Sequence, residues 1–291
     1  MIDFKAAFRC AGISAGRFLG TRKSYLILFV MALFSAYIDI PVVRLLIIYE
    51  AKIPPVLFVY YSSFFKMLVL QGGMVVFMFS DLMQLDQYTY WNMIRCGKRN
   101  YLLGQFIYVF LISLLYTGVL FVISLILVLP AVKSPVTWGS FIRQMCRKLL
   151  LLGSEVGITG FTLEMKESLI NAVSPVGALA ASLLLCVLVT TFLGMLIISL
   201  TVLVSRKAGL AFAGILAALP CFARFLGSIS LGIWLNYVSP VSWYDINFLD
   251  WEGLGGYPSF SYAVAFLLAG ILLMGTITSL VYRKKDVESN R

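Results

Sequence analysis

Three charged residues lie inside stretches that are otherwise apolar and uncharged: Asp39, Lys66 and Arg224. Counting 1.5 Å per helical residue from the predicted cytoplasmic end of each stretch places each of them about 22–25 Å along it. In a hydrocarbon core of about 30 Å this is the outer third, where a charge that faces lipid is still costly. One interpretation is that Asp39 neutralises one of the bases, or that both bases extend to the membrane surface. The other is a polar belt along a translocation path, suited to anionic groups such as lipid phosphates or acidic peptides.

The sequence lacks several residues that catalysis commonly uses. It contains no histidine, the commonest general base and a common zinc ligand. Gly97-Lys98 is followed by Arg99 and has no glycine at position 92, so it is not the loop that binds ATP phosphates. The five cysteines form no C-x-x-C pair and are expected to be small apolar packing residues. We therefore expect no enzyme activity, metal site or cofactor in this chain.

The composition excludes a soluble globular enzyme. Hydrophobic residues make up 61% of the 291 residues and charged residues 12%, against roughly 45–50% and 25% in soluble domains. With a mean hydropathy of +0.95, the chain is expected to be an all-α polytopic membrane protein with a single transmembrane domain. Six predominantly apolar runs with few charges predict transmembrane helices, at about 24–43, 62–81, 104–129, 176–204, 208–236 and 261–282.

The charges outside these runs predict the orientation of the chain. Six spans place both termini on the same side of the membrane, and that side carries about twice as many Lys and Arg residues as the other. Basic residues accumulate in cytoplasmic connections, so both termini are expected in the cytoplasm. The same rule accounts for the formal net charge of +10 without any nucleic-acid partner.

Three segments are predicted to lie outside the spans. Residues 1–23 repeat apolar side chains such as Phe4 and Phe8 at helical spacing, which predicts an amphipathic helix at the membrane interface. Residues 130–174 form a long outer segment that is either a docking surface or an outer lid. Residues 237–260 carry acidic but no basic side chains, which is compatible with a connection on the outer side of the membrane.

Three short motifs, together with the order of the predicted spans and connections, resemble the membrane subunit of an ABC-2-type ABC transporter. Arg95-Cys96-Gly97-Lys98-Arg99 is similar to the basic R-x-G-x-[RK] turn that the family has between spans two and three. Tyr237-Val238-Ser239-Pro240 resembles the family's Y-x-S-P segment after span five, and Arg283-Lys284-Lys285-Asp286 resembles its basic-then-acidic tail. The family fold has six spans behind an amphipathic N-terminal helix.

The resemblance implies partners and roles. Family members form homodimers or heterodimers of permeases, and each permease binds a cytoplasmic ABC ATPase that holds the ATP and Mg²⁺. Residues 86–101 would be the coupling helix that docks on this ATPase. The residues expected to make the contact are Trp91, Arg95, Gly97, Lys98 and Arg99. Spans two and five would line the dimer cleft, which would place Lys66 and Arg224 on the translocation path together with Asp39.

The function expected from this resemblance is ATP-driven export, by alternating access, of a peptide, lipid or amphipathic compound across a bacterial plasma membrane. The first alternative is a non-transporting sensor or immunity component that binds a peptide through residues 130–174. A secondary transporter is a weaker alternative, because the six runs show no obvious internal repeat and Asp39 is their one acid.

Overall fold

A computed structural model describes residues 3–63, 65–84, 87–132, 137–139, 142–143, 166–226, 230–253 and 256–289. These residues are helical apart from turns and two isolated bridges, and they contain no strand. In chain order the helices are α1 Phe4–Leu19, α2 Arg22–Ile48, α3 Leu57–Ser63, α4 Phe65–Met78, α5 Gln87–Cys96, α6 Lys98–Val128, α7 Glu167–Ala172, α8 Pro175–Leu203, α9 Arg206–Phe225, α10 Ser230–Val238 and α11 Phe260–Ser289.

Several helices are long and apolar enough to cross a membrane, which makes this a membrane-embedded protein. Within the described part of the chain five helices meet that description, namely α2, α6, α8, α9 and α11. The second predicted span, 62–81, falls instead on the short helix α3 and the 14-residue helix α4. Five described helices are therefore long and apolar enough to span a membrane. The second predicted span, which covers α3 and α4, is not among them.

The single helix predicted over 208–236 is wrong, because the structure divides this stretch into two helices. Helix α9 ends at Phe225 and α10 begins at Ser230. Leu226 closes α9, and residues 227–229 lie outside the described part of the chain. The hydropathy is high on both sides of Leu226, so the apolar pattern does not indicate where α9 ends.

Side-chain caps fix where the principal helices begin. The Asp3 carboxylate accepts hydrogen bonds from the backbone N–H groups of Lys5 and Ala6 at the start of α1. Thr21, Ser174 and Ser205 cap α2, α8 and α9 in the same way. These caps satisfy N–H groups that a helix leaves without partners in its first turn. They place sharp helix boundaries at the edges of the apolar stretches.

The bundle is organised around α8. Of its most apolar 18-residue window 72% is buried, against 17% for α11. Helix α8 packs against α4, α6, α9 and α11, which makes it the central helix and leaves α11 at the periphery. Because its apolar residues cover its whole circumference, α8 has no polar face to present to water.

The ends of the bundle are defined by three contacts. Lys23 at the start of α2 pairs with Asp81 after α4, and Arg206 at the start of α9 lies against the same carboxylate. The hydroxyl of Tyr282, late in α11, donates a hydrogen bond to Met93 of α5. We call this end, which also carries α1, the α5 end. The opposite end carries the bridge between Ile53 and Val132.

Helix α1 packs on α6 through small residues. Ala7, Cys10 and Ala11 are buried, whereas Phe4 and Phe8 are exposed, so the buried face is narrower than the periodicity predicted. The close approach requires Gly104 of α6, because a Cβ atom there would lie 2.9 Å from the carbonyl oxygen of Ala7. The exposed phenylalanines remain available to a membrane surface, as expected of an interfacial helix.

The segment between α10 and α11 folds back into the bundle over its first half. Residues 239–247 are all buried and form two short 3₁₀ turns, Pro240–Tyr244 and Ile246–Phe248. The indole N–H of Trp243 donates to the carbonyl oxygen of Asn236 at 2.9 Å. Large apolar side chains drive this burial, and 3₁₀ turns allow so short a segment to satisfy its backbone.

Candidate functional site

Helix α5 presents an exposed surface that is both aromatic and basic. Tyr90 and Trp91 are each 59% exposed, Ile94 is 57% exposed, and Arg95 is exposed beside them. Because residues four apart lie on the same side of a helix, these four side chains form one face. We call them the α5 face. Aromatic residues and arginine are the residue types that contribute most to binding at protein interfaces.

The other side of α5 is attached to the rest of the bundle. The sulfur of Met93 accepts the hydrogen bond from Tyr282 of α11 at 3.3 Å. The sulfur atom of Cys96 contacts the sulfur atom of Cys10 in α1. These two cysteines therefore pack against each other between the two helices. Sequence spacing could not indicate this contact, because the two residues lie 86 positions apart.

Gly97 makes the turn from α5 into α6. Its φ angle is +80°, a left-handed conformation that costs little for glycine and is strained for other residues. Lys98 and Arg99 follow as the first residues of α6, and both are exposed. Positive charges oppose the helix dipole at a helix N-terminus, so helix stability does not account for their position. All five residues predicted for coupling thus lie together at one exposed end of the molecule, with Trp91 and Arg95 on α5.

An ionic cluster ties three helices together at the α5 end. The Asp81 carboxylate lies 2.7 Å from Nζ of Lys23 and 3.4 Å from a guanidinium nitrogen of Arg206. Arg206 also donates two hydrogen bonds to the carbonyl oxygen of Ser80, at 2.8 and 3.1 Å. The sequence marked Asp81 only as the end of a span, because its two partners lie far away along the chain.

A cleft of about 290 Å³ separates this cluster from α5. Arg17 of α1, Asp81, Thr89 of α5 and Gln105 of α6 are among the residues that line it. Helix α5 is therefore attached at its C-terminal end and through Met93, while the cleft borders its N-terminal half.

Arg224 is paired at the opposite end of the bundle. One of its guanidinium nitrogens lies 2.7 Å from the carboxylate of Asp245, and the guanidinium stands 4.4 Å from the centre of the Phe248 ring. The backbone and side-chain amides of Asn247 also donate to the Asp245 carboxylate, at 3.0 and 2.9 Å. Burial raises the pKa of the Asp245 carboxyl to about 6, against the opposing effects of Arg224 and Asn247.

The structure does not assemble the predicted belt of Asp39, Lys66 and Arg224. Arg224 pairs with Asp245, Lys66 is exposed on α4, and Asp39 is fully buried in α2. The interpretation in which Asp39 neutralises Arg224 or Lys66 is wrong, since neither carboxylate oxygen of Asp39 has a hydrogen-bond partner in the described part of the chain. The positions of the three charges along their helices give no indication of Asp245, because that residue reaches Arg224 only when residues 239–247 fold inward.

One sequence pattern needs the structure to be interpreted. Residues 12–16 read Gly-Ile-Ser-Ala-Gly, which matches the G-x-S-x-G pattern of serine hydrolases. In hydrolases that serine stands on a sharp turn between a strand and a helix, with a histidine as its base. Here Ser14 lies within α1, its hydroxyl accepts a hydrogen bond from Gln105, and the chain has no histidine. Ser14 therefore lacks the backbone setting and the base of such a nucleophile.

Comparison with family models, with curated proteins and with solved structures finds no match for this chain. Any functional assignment therefore depends on the geometry of the α5 face, the basic turn beside it and the two charge pairs.

Proposed function

We propose that this chain is the membrane-spanning permease subunit of an ATP-driven ABC transporter, working as an exporter by alternating access. In this proposal the α5 end faces the bacterial cytoplasm, and α3 and α4 together form the second of six spans. The observation that carries the proposal is the α5 face, an exposed aromatic and basic surface on a short helix between two spans.

The chemistry of the α5 face suits a protein partner with an acidic rim. Trp91 and Tyr90 offer large, rigid apolar surfaces, and Arg95, Lys98 and Arg99 add three positive charges within one short stretch. Aromatic anchors supply most of the binding free energy at such interfaces, whereas rim charges set orientation and association rate. An aromatic belt at the lipid interface is the competing explanation. Affinity purification of an α5 variant distinguishes a partner-binding face from such a belt.

The attachments of α5 provide a route by which a docked ATPase could move the bundle. A displacement of α5 would be carried into α6 through Gly97, into α1 through Cys96 and into α11 through Met93. The ATPase would hold the ATP and Mg²⁺, and this chain would contribute motion rather than chemistry. The ion pairs of Asp81 with Lys23 and Arg206 would then have to rearrange as α2, α4 and α9 separate.

The proposed substrate is a peptide, a lipid or another amphipathic compound, moved through a cleft between two permeases. The partner is a second copy of this chain or a related permease. Lys66, exposed on α4, is the described base that would face such a cleft, while Arg224 would act through its pair with Asp245. Replacing Lys66 with Gln should therefore lower export of an anionic compound more than export of a neutral one.

Affinity purification of the tagged chain from its native membrane in mild detergent tests the proposal. We expect mass spectrometry to find a soluble ABC ATPase in about equal amount. The double variant Trp91→Ala/Arg95→Glu should lose this ATPase. The matched control is Trp234→Ala, which removes a tryptophan of similar exposure from α10 at the other end of the bundle. An unchanged yield of ATPase with the double variant would contradict the coupling assignment.

A sensor or immunity component that binds a peptide through residues 130–174 is the second candidate. It is favoured by the firm attachment of the described parts of that segment. The Trp138 indole N–H donates to the carbonyl oxygen of Val173 at 2.7 Å, and Lys166 lies 4.0 Å above the centre of the Tyr257 ring. Peptide binding that survives the α5 double variant, without any copurifying ATPase, would support this candidate over the permease.

A further inference from the structure

Asp39 stands out among the buried side chains because nothing offsets its charge. It is 0% exposed, and neither carboxylate oxygen accepts a hydrogen bond from any residue that the structure describes. It lies on α2, 17 residues after Arg22, which corresponds to about 26 Å along the helix. Buried charges in proteins are normally paired or bound to a metal, so an unpaired carboxylate at this depth needs an explanation.

Among the described residues, the groups found near Asp39 are polar and carry no positive charge. The Tyr61 hydroxyl of α3 lies near both Asp39 and Ser35, which is one turn earlier on α2. Tyr116 of α6 and Cys186 of α8 also lie near Tyr61. The base of α4, Lys66, is exposed, and the bases of α1 lie at the α5 end.

These neighbours continue into a buried polar core. The sulfur of Cys186 accepts hydrogen bonds from the Gln71 amide at 3.2 Å and the Thr117 hydroxyl at 3.3 Å. The hydroxyls of Thr190 and Tyr244 lie 3.0 Å apart in the same region. Asp39 thus lies at the edge of a cluster of neutral hydroxyl, amide and thiol groups within the described part of the bundle.

A bound metal ion fits this site poorly. Hard cations such as Mg²⁺ and Ca²⁺ take about six or more oxygen ligands. Asp39 supplies one carboxylate, and the adjacent oxygens are the hydroxyls of Tyr61 and Ser35. The Ser35 hydroxyl is already engaged, since it donates to the carbonyl oxygen of Met31 at 2.8 Å. A proton needs only one of the two carboxylate oxygens, and it removes the charge completely.

We infer that Asp39 is a proton-binding site inside the membrane-embedded bundle, occupied in the conformation described here and emptied when water reaches it. On release the O–H bond of the carboxyl breaks, the proton passes to water and the bonding electron pair stays on the carboxylate. No other group is oxidised or reduced. The inference does not depend on the proposed ATP-driven function.

Pro41 gives a physical reason why water could reach this site. Proline has no N–H, so the carbonyl oxygen of Tyr37, four residues earlier, lacks its helical hydrogen bond. Helices bend most readily at such positions, and Asp39 lies between these two residues. A bend at Pro41 would expose the carboxyl to water, which stabilises the charged form. Conformational change and proton release would then be linked.

Thermal unfolding of the purified full chain in detergent, followed from about pH 5 to about pH 9, tests the inference. A group that binds its proton more tightly in the folded state loses its contribution to stability as pH rises. We therefore expect the wild type to lose melting temperature toward alkaline pH. Asp39→Asn, a neutral isostere of the protonated acid, should remove part of that decline and melt at or above the wild-type temperature at about pH 8.

Asp81→Asn is the matched control. Its carboxylate is exposed and paired with Lys23 and Arg206, so this variant should melt below the wild type and keep the alkaline decline. An Asp39→Asn protein that melts well below the wild type and shows the same decline would overturn the inference, because it would mean that Asp39 is charged and paired.

A second measurement keeps the inference testable if Asp39→Asn fails to fold. A hydrophobic carbodiimide converts protonated carboxyls to stable N-acylurea adducts that mass spectrometry locates. In the wild type at about pH 7 we expect about tenfold more adduct on Asp39 than on Asp81. Adduct on Asp81 with none on Asp39 would show that Asp39 does not hold a proton, and would overturn the inference.

Discussion

Arg224 and Asp39 represent two ways of placing a charge among apolar helices. Arg224 has a carboxylate at 2.7 Å and an aromatic ring beneath its guanidinium, so its charge is offset inside the protein. Asp39 has neither kind of partner in the described residues, and a proton is the simplest neutralising group. Both residues were visible in the sequence as charges in apolar runs, but only the folded arrangement tells them apart.

The Arg224–Asp245 pair predicts a pH-dependent loss of stability in Arg224→Gln. Without the guanidinium the buried carboxylate is uncompensated, which costs about 3 kcal/mol or more at neutral pH. Asp245 has a pKa of about 6 in the folded wild type, above its usual 3.8, and losing Arg224 raises it further. Protonation at about pH 5 therefore relieves most of the penalty. Thermal unfolding at the two pH values measures this.

The double variant Arg224→Gln/Asp245→Asn is the control for that prediction. It leaves no buried charge, so it should be more stable than Arg224→Gln at neutral pH and should show little change between the two pH values. An Arg224→Gln protein whose loss of stability is equal at both pH values would contradict the role assigned to Asp245.

Trp91 and Arg95 are the residues of the α5 face whose replacement should weaken ATPase binding. Trp91→Ala should weaken ATPase binding by at least about tenfold, since truncation of a central tryptophan typically costs 2 kcal/mol or more. Arg95→Glu should mainly slow association and make it less dependent on salt. Binding kinetics of the purified ATPase on nanodiscs containing each variant measure both effects. Trp234→Ala, which changes an exposed tryptophan on α10, should bind like the wild type.

At the scale of elements, α5 matters because of how it is connected. Its C-terminal end contacts α1 through Cys96 and turns into α6 at Gly97, while a cleft borders its N-terminal half. In the proposed mechanism, a partner that pushes on the exposed face would rotate α5 about these attachments. The short length of α5, ten residues, means that its orientation depends on these attachments rather than on its own helical stability.

Gly97→Ala should disturb that orientation without unfolding the bundle. At a φ of +80° an alanine adds strain of about 1–2 kcal/mol, which the turn relieves by re-aiming α5. We expect a small drop in melting temperature and a larger drop in ATPase binding. Gly118→Ala is the control, because a Cβ atom there meets nothing within 4 Å in the middle of α6. Equal losses of binding in both variants would contradict the role of the turn.

How far the sequence predicts the structure differs between elements. Hydropathy places α2, α6, α8 and α11 well, because a long apolar run of helix formers has few other stable forms in a membrane. Hydropathy does not predict the end of α9 at Phe225 or the inward fold of residues 239–247, because both segments differ little in composition from a span. The residues proposed for coupling are adjacent in sequence, so the sequence alone could group them. The partners of Arg224 and of Asp81 are distant along the chain, and only tertiary packing brings them near.

At the scale of the whole molecule, polar features concentrate at the two ends and in one buried core. The α5 end combines the α5 face with the Asp81 cluster, and the opposite end carries the Arg224–Asp245 pair. Between them lies the neutral polar core that begins at Asp39. In the proposed mechanism, the ATPase would act on the α5 end and the opposite end would open. Water would then reach the buried polar core.

ATP hydrolysis by the complex that copurifies with this chain, measured in lipid nanodiscs, tests whether the chain is an ABC permease. We expect ATPase activity with the wild type and with Trp234→Ala. We expect that activity to be lost with Trp91→Ala/Arg95→Glu, although the variant chain inserts and melts like the wild type. A wild-type chain that purifies in a folded state with no ATPase activity, or activity that the double variant leaves unchanged, would contradict the proposed function.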